Sequence, residues 1–417
     1  MSDWPAGLSA PARRALEAAG HTGLADLGGT SMVDVAALHG VGPKAVMLLK
    51  EALDQRGTPF SDADKGPRAW RQAAAQLGVG RRGSKKWAGP GSATTRTKKK
   101  EPAGEPIMLD VEGRQVRLSS PERVYFPDHG WTKADVARYY IAVGPGILRA
   151  LRDRPTMLHR FPDGLAGPKV YQKRLPSGAP DWVPTVRLDF PRYNLHADEL
   201  CPTHVADIVW AVQMSTVELH PWNVRAADVD RPDEWRIDLD PMPEATLHQV
   251  RRVAEVAHEV LDELGITGYP KTSGGSGLHV YVRIRPEWEF GDVRRAAWGF
   301  ASEVARRLPD HATVAWWRKD RDPRRVFIDF NQNTRDHTLA AAYSLRGRPE
   351  GTVSAPLRWD EVGSAEPQDL TLATVPARFA AIGDPHEGID DVAYGIEPLL
   401  EWADRFDRDH GGLPEAD

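Results

Sequence analysis

The strongest constraint on how this 417-residue chain can fold is the order of its periodicities between Trp235 and Phe330. Trp235 to Asp240 alternates as a strand does. Leu247, Val250, Val253, Val256, Ala257, Val260, Leu261 and Leu264 then form a helical stripe that Gly265 ends. Tyr269 to Thr272 and Leu278 to Ile284 read as strands joined by a glycine loop, Asp292 to Leu308 as a helix, and Arg325 to Phe330 as a closing strand. Strand, helix, strand, strand, helix, strand is a split βαβ unit, so the expected class is α/β of the α+β kind, with a ferredoxin-like or RNA-recognition-motif-like sheet. That fold carries many activities, so function has to be read from side chains.

Charge divides the rest of the chain. The net charge is −5, which excludes a uniformly basic surface, yet Arg81, Arg82, Lys85, Lys86, Arg96, Lys98, Lys99 and Lys100 fall in one acid-free stretch among Gly, Ser, Thr and Pro. Residues 61–104 therefore read as a flexible basic linker, either a solvated tether or a tail that grips phosphates. The linker separates a small helical domain, residues 1–60, from a large one, residues 105–417. In the small domain, Ser31 to Leu38 and Lys44 to Leu53 are helical on either side of Gly40-Val41-Gly42-Pro43. This unit resembles a helix-hairpin-helix, whose backbone N–H groups face a DNA phosphate. Its surroundings carry five basic and six acidic residues, so protein docking or a structural role stays open. Cys201 is the only cysteine, which excludes intrachain disulfides and cysteine zinc clusters. The first ten residues lack a targeting pattern and no apolar run reaches the roughly 20 residues of a membrane span, so a cytoplasmic, nucleoid-associated protein is expected.

Three segments of the large domain carry chemistry. In Ile237-Asp238-Leu239-Asp240-Pro241 the carboxylates lie two apart, which puts both on one face of a strand, where their repulsion favours a hard cation or else a polar strand end. Lys271-Thr-Ser-Gly-Gly-Ser-Gly-Leu-His279 joins two strands, and its glycines allow backbone N–H groups to approach an anion; a plain glycine hairpin is the alternative. It is not a Walker A loop. Asp329 sits in the apolar run Arg325 to Phe330 and needs a partner: a metal shared with Asp238 and Asp240, or a salt bridge to Arg318, Lys319, Arg324 or Arg325. His220, in Thr216-Val-Glu-Leu-His220-Pro-Trp222, is compatible with a core histidine as well as a site residue.

Taken in order, Glu218-Leu-His-Pro-Trp-Asn223, Arg236-Ile-Asp-Leu-Asp-Pro241, Thr272-Ser-Gly-Gly-Ser-Gly-Leu-His-Val-Tyr281, Phe327-Ile-Asp-Phe-Asn-Gln-Asn333 and Ala342-Tyr-Ser-Leu-Arg346 resemble the archaeo-eukaryotic primase-polymerase superfamily. The resemblance is strongest to the polymerase domain of bacterial end-joining ligase D and its standalone actinobacterial relatives, and it spans residues 107 to 402. It implies a primase-polymerase core in which Asp238, Asp240 and Asp329 bind two divalent cations, Mn²⁺ or Mg²⁺. It further implies that Ser273, His279 and Arg346 hold a triphosphate, that His220, Lys173 and Gln332 are nucleotide-binding, and that Lys133 contacts a DNA 5′-phosphate.

The implied activity is a monomeric primase-like polymerase that adds NTPs in preference to dNTPs at DNA ends, gaps or short primers, in repair such as non-homologous end joining. The implied partners are DNA and nucleoside triphosphates, with a separate DNA ligase and end-binding protein. The one Asp-Gly pair placed as in a ligase motif, Phe161-Pro-Asp-Gly164, has Phe161 where a nucleotidyl-accepting lysine would stand. Relatives carry Lys or Arg where this loop has Ser276, a loss of about 1–3 kcal/mol of phosphate or template contact, for which Lys271, Arg283 or Arg285 are candidate replacements. Two rivals share the residues: a two-metal phosphodiesterase and a catalytically weak end-binding scaffold.

Overall fold

The computed structural model describes residues 4–61 except 6, 9, 37, 39, 40 and 42, then 104–190, 195–410 and 413. The chain divides into two units, Met1–Lys98 and Lys99–Asp417. The basic linker falls almost wholly outside the described residues, as do His39, Gly40 and Gly42 of the N-terminal hairpin.

In the first unit, helices α1 (Ala10–Ala18), α2 (Met32–Ala36) and α3 (Pro43–Gln55) surround a small core of Leu16, Leu24, Leu27, Val46, Leu49 and Leu53. Pro43 opens α3, where its missing N–H costs nothing. The two helices expected from the sequence are present, the first ending at Ala36.

The second unit holds two five-stranded sheets. It begins with the hairpin β1 (Ile107–Val111) and β2 (Arg114–Leu118) and the small pair β3 (Val124–Phe126) and β4 (Trp131–Thr132). Helix α4 (Lys133–Ala142) follows at once, its start fixed by a capping box in which Thr132 and Asp135 satisfy each other's backbone N–H. After α5 (Gly144–Leu151), the first sheet runs β6 (Val170–Gln172), β5 (Thr156–Arg160), β8 (Leu195–Leu200), β7 (Thr185–Phe190), and β9 (Thr216–Pro221) also pairs with β5. Helix α6 (Val205–Gln213) is buried, packs chiefly against α4 and β2, and leads into β9.

The second sheet is the split βαβ unit read from the sequence. It comprises β10 (Glu234–Pro241), α7 (Leu247–Glu263), β11 (Tyr269–Thr272), β12 (Leu278–Arg283), α8 (Phe290–Arg307) and β14 (Val326–Ile328), with short β13 (Ala312–Thr313) added at the edge. Its order is β11-β12-β10-β14-β13, antiparallel except for the β13–β14 pair. Trp235, Ile237 and Leu239 point into one core with Val250, Val253, Val260 and Phe300 of the two helices. Alternation therefore puts Arg236, Asp238 and Asp240 on the opposite face.

One boundary differs from expectation. The closing strand stops at Ile328, so Asp329 lies just past it and caps a 3₁₀ turn over Phe330–Asn333, its side chain accepting from Asn331 N–H at 3.0 Å. The local bond competes with the ladder for this stretch of backbone and wins, as short acidic side chains often do at strand ends.

Candidate metal centre and nucleotide pocket

Asp238 pairs with His279 across β10 and β12, and Leu239 pairs with Ile328 across β10 and β14. The backbone N–H of Asp329 donates to the carbonyl of Asp238 at 2.8 Å, which locks the turn beside the strand. Carboxylate oxygens of Asp238, Asp240 and Asp329 consequently lie within 4.8 Å of one another. Burial, reinforced by the charges of Asp240 and Asp329, holds the Asp238 carboxyl well above the usual carboxylate range. Asp240 opens to solvent at the rim, and partial desolvation together with Asp329 raises it as well.

Asp329 takes amide hydrogen bonds: Asn331 Nδ2 donates to Oδ1 at 3.1 Å and Gln332 Nε2 to Oδ2 at 3.0 Å. The salt bridge weighed from sequence is not formed among the described residues, since Arg324 and Arg325 turn to Asp322. Three converging carboxylates, one of them with a buried Oδ1 that accepts no hydrogen bond, are a donor set that a hard divalent cation fits. A cation would remove the repulsion that helps to raise Asp238 and Asp240.

Histidine and lysine flank the acids. His279 Nε2 lies 3.3 Å from Asp238 Oδ1, and its Nδ1 lies 2.7 Å from Lys271 Nζ. The Lys271 ammonium is fully buried, donating also to the carbonyl of Ala340 at 2.9 Å and to Ser354 Oγ. An ammonium donor at Nδ1 leaves the proton on Nε2, the nitrogen that faces the acids. Burial lowers both groups well below their ordinary values; Arg346 and Arg236 add to this at Lys271, and Lys271 adds to it at His279.

The glycine loop is built differently from an open anion cradle. The N–H groups of Gly275 and Gly277 both donate to Ser273 Oγ at 3.1 Å, so two of the donors expected to face an anion close on their own loop. Arg346 Nη1 donates to the Ser273 carbonyl, and Thr352 Oγ1 to that of Gly274 at 2.6 Å. Gly274 has φ +68°, and a Cβ on Gly277 would stand 2.6 Å from the Leu239 carbonyl oxygen. Only glycine lets the loop cross β10 at that distance.

Glu218 gathers two imidazoles and two cationic side chains. His220 Nε2 lies 2.9 Å and His159 Nδ1 3.2 Å from its Oε2, Lys169 Nζ 2.9 Å from its Oε1, and Gly347 N–H donates to Oε1 at 3.0 Å. Arg346 Nε stands 3.4 Å away and so bridges Glu218 to the loop. The two imidazoles stack at 3.7 Å. Burial works against ionised Glu218, but the hydrogen bonds of the two histidines and the Arg346 charge outweigh it and hold the carboxyl far below its ordinary range. His220 is pushed down to about 3, chiefly by burial.

Asp238, Asp240, Asp329, Gln332, His279, Ser273, Arg346 and His220 are thus brought together. Lys173 stands with aromatic rings, its Nζ 4.6 Å from the centre of Phe190 and 5.9 Å from that of Trp222. Lys133 is placed otherwise than expected. It is 4 % exposed, and its ammonium donates to the Ser119 carbonyl, the Gln213 carbonyl and Gln213 Oε1 at 2.9, 2.8 and 3.0 Å. Its three hydrogens are in use inside the protein. Burial and the nearby charges of Arg123 and Arg160 bring it down to about 8.

Of the replacements for the cation missing at Ser276, none is free. Lys271 is committed as above, Arg283 pairs with Glu234 and Asp390 at 2.9 and 2.8 Å, and Arg285 pairs with Glu287 and Glu397 at 3.0 and 2.8 Å. Sequence reasoning weighed Lys271 only as a replacement for a cation at position 276 and gave Glu218 no role. The signal for Glu218 was its spacing, two residues before His220 on the same strand face.

Comparison with known proteins places this geometry. The family model described as LigD, primase-polymerase domain, matches residues 132–386. The chain is 31% identical over 303 residues to the multifunctional non-homologous end joining protein LigD of Mycolicibacterium smegmatis, covering 72% of this chain and 39% of that protein. It is 31% identical over 290 residues to the LigD of Pseudomonas aeruginosa, covering 69% of this chain and 33% of that protein. The match thus spans well under half the length of these relatives. Among solved structures, the polymerase domain of Mycobacterium tuberculosis ligase D in complex with DNA superposes with a TM-score of 0.62 at 27% identity, covering 67% of this chain and 99% of that one. With the family match extending over more than half its length, the chain belongs to the LigD primase-polymerase domain family.

Proposed function

We propose that this protein is a metal-dependent nucleotidyltransferase that extends DNA 3′ ends, gaps or short primers with nucleoside triphosphates, NTPs in preference to dNTPs, in the repair of broken ends. The observation that carries the reading is the convergence of Asp238, Asp240 and Asp329 beside His279 and Arg346 on one sheet face. Two divalent cations, Mn²⁺ or Mg²⁺, would supply a lowered pKa at the primer 3′-hydroxyl and charge neutralisation on the departing pyrophosphate.

The chain's own groups do the rest. Gln332 and Asn331 hold the Asp329 carboxylate in place through their amides, so Gln332 acts on the nucleotide through that carboxylate. Lys271 fixes the His279 tautomer, presenting Nε2–H toward a phosphate oxygen that reaches Asp238. Arg346, anchored between Glu218 and the Ser273 carbonyl, offers positive charge to the triphosphate, and the buried, neutral His220 shapes the wall behind it. Lys173, held over Phe190 and Trp222, is assigned to the nucleotide side of the pocket. Lys133 can serve a DNA 5′-phosphate only by giving up one of its protein acceptors. Sealing of the extended end is left to a separate ligase.

The test is extension of a labelled primer on a gapped template with each NTP or dNTP and Mg²⁺ or Mn²⁺. The wild-type chain should extend it with pyrophosphate release, and Asp238→Ala should lose at least a thousandfold in rate, about 4 kcal/mol of transition-state stabilisation, with an unchanged circular-dichroism spectrum. Undiminished extension by Asp238→Ala would remove the assigned site. Phosphodiester cleavage without triphosphate would replace the reading with the hydrolase, and DNA binding without turnover would replace it with the scaffold.

A further inference from the structure

The third carboxylate of the acid cluster is tied, through an amide, to a buried guanidinium. Arg294, on α8, is 7 % exposed, and its Cζ lies 5.2 Å from the ring centre of Trp316 and 5.5 Å from that of Phe330. Its Nε donates to Asn331 Oδ1 at 3.1 Å. The other end of the same amide serves the acid: Asn331 Nδ2 donates to Asp329 Oδ1 at 3.1 Å, and the Asn331 backbone N–H donates to that oxygen at 3.0 Å. Guanidinium, amide and carboxylate thus form a chain of hydrogen bonds that run in one direction. A charged donor at its head polarises the amide and strengthens the bond that the amide gives to the acid.

The chain distinguishes the two oxygens of Asp329. Among the described residues, Oδ1 accepts two N–H bonds and Oδ2 one, from Gln332 Nε2 at 3.0 Å. A carboxylate oxygen has two lone pairs, so Oδ1 is filled and Oδ2 keeps one for a cation. Reversing the Asn331 amide would turn its oxygen toward the acid, and Arg294 opposes this because the NH₂ group would then face a guanidinium. The guanidinium is in turn held by Trp316 and Phe330, at distances suited to cation–π attraction.

We propose that Arg294 is a positioning residue of the metal centre: through the Asn331 amide it ties Oδ1 of Asp329 to the protein and leaves Oδ2 for a divalent cation. The proposal rests on the metal-dependent reading above and deepens it. The sign of the effect separates positioning from charge. As a positive charge, Arg294 repels a cation, so its removal would tighten binding if charge ruled. Positioning requires that its removal weaken binding.

Mn²⁺ binding to the metal-free full chain is measured from the electron paramagnetic resonance signal of the free ion, beside gapped-DNA affinity in EDTA and primer extension over a Mn²⁺ series. Only variants with the wild-type circular-dichroism spectrum are compared. Arg294→Met keeps bulk between the rings and loses the donor; it should weaken Mn²⁺ binding about tenfold, the low end of what outer-shell hydrogen-bond partners contribute. Extension should need correspondingly more Mn²⁺, with the rate at saturating metal and the DNA affinity kept. Arg294→Lys, which retains a cationic donor, should recover most of the loss. Asn331→Ala should lose at least as much as Arg294→Met, and the double variant no more than Asn331→Ala alone, because the two residues act in series. Unchanged or tighter Mn²⁺ binding in Arg294→Met, additive losses in the double variant, or weaker DNA binding in EDTA would overturn the proposal. If Arg294→Met does not fold, wild-type Mn²⁺ binding by Asn331→Ala overturns it equally. A wild-type chain that binds no Mn²⁺ would remove the metal reading itself, whereas normal wild-type binding with an unaffected Arg294→Met removes this inference alone.

Discussion

At the scale of residues, the site is a set of charges held against their preference. Asp238 and Asp240 bind protons more tightly in the folded chain than in the unfolded one. A raised carboxylate contributes stability that is complete below the unfolded value, near pH 4, and is lost as pH rises through the folded value. The two carboxyls interact, so their protons leave in two steps that belong to the pair and not to either residue. The melting temperature of metal-free protein should therefore fall as pH is raised through this range, and saturating Mn²⁺ should abolish the fall. Calorimetry across pH with and without metal checks this; an identical pH dependence in both would mean that no cation sits on the acids. The aspartates were legible because a strand has a period of two and the carboxylates sit two apart. Lys133 was not legible, because the acceptors that bury its ammonium, Ser119 and Gln213, are distant in sequence and flag nothing. Glu218 was passed over for a related reason: its partners His159, Lys169, Arg346 and Gly347 come from separate segments.

At the scale of elements, the loop between β11 and β12 sets where His279 falls. Its crossing over β10 leaves 2.6 Å between a Cβ on Gly277 and the Leu239 carbonyl, closer than real Cβ atoms approach. Gly277→Ala should displace the start of β12, costing about 1–3 kcal/mol as overpacking does. Because the displaced strand carries His279 next to Asp238, KM for nucleotide should rise severalfold as stability falls. Urea denaturation and steady-state extension would show it, and a variant with wild-type stability and KM would mean that the loop relaxes freely. The elements themselves were readable from alternating and helical spacing, and the sheet has the expected order with β13 added. The end of β14 was misread because an apolar run does not record that Asp329 prefers to cap a turn. The glycines signalled a tight loop correctly. They did not reveal that Ser273 Oγ would take two of its N–H groups.

At the scale of the whole molecule, charge is distributed unevenly: a chain of net charge −5 carries eight basic residues between 81 and 100. If that segment grips DNA, deleting residues 81–100 should flatten the plot of log affinity against log salt by several units, since each neutralised phosphate contributes about 0.9. Titrations of gapped DNA at a series of salt concentrations decide it, and an unchanged slope leaves the segment a tether. No helix among the described residues is long and apolar enough to cross a membrane. The large unit assembles its site from parts far apart in the chain. Asp238 and Asp240 belong to the first strand of the split βαβ unit, while Asp329 follows its last. The acid cluster therefore does not exist until the whole unit has closed. A nascent chain emerging from the ribosome already carries the aspartate pair but has no third carboxylate to complete a cation site. Competence for chemistry arrives late in folding, with the docking of β14, by a non-local pairing of the kind that slows a chain's search for its native topology.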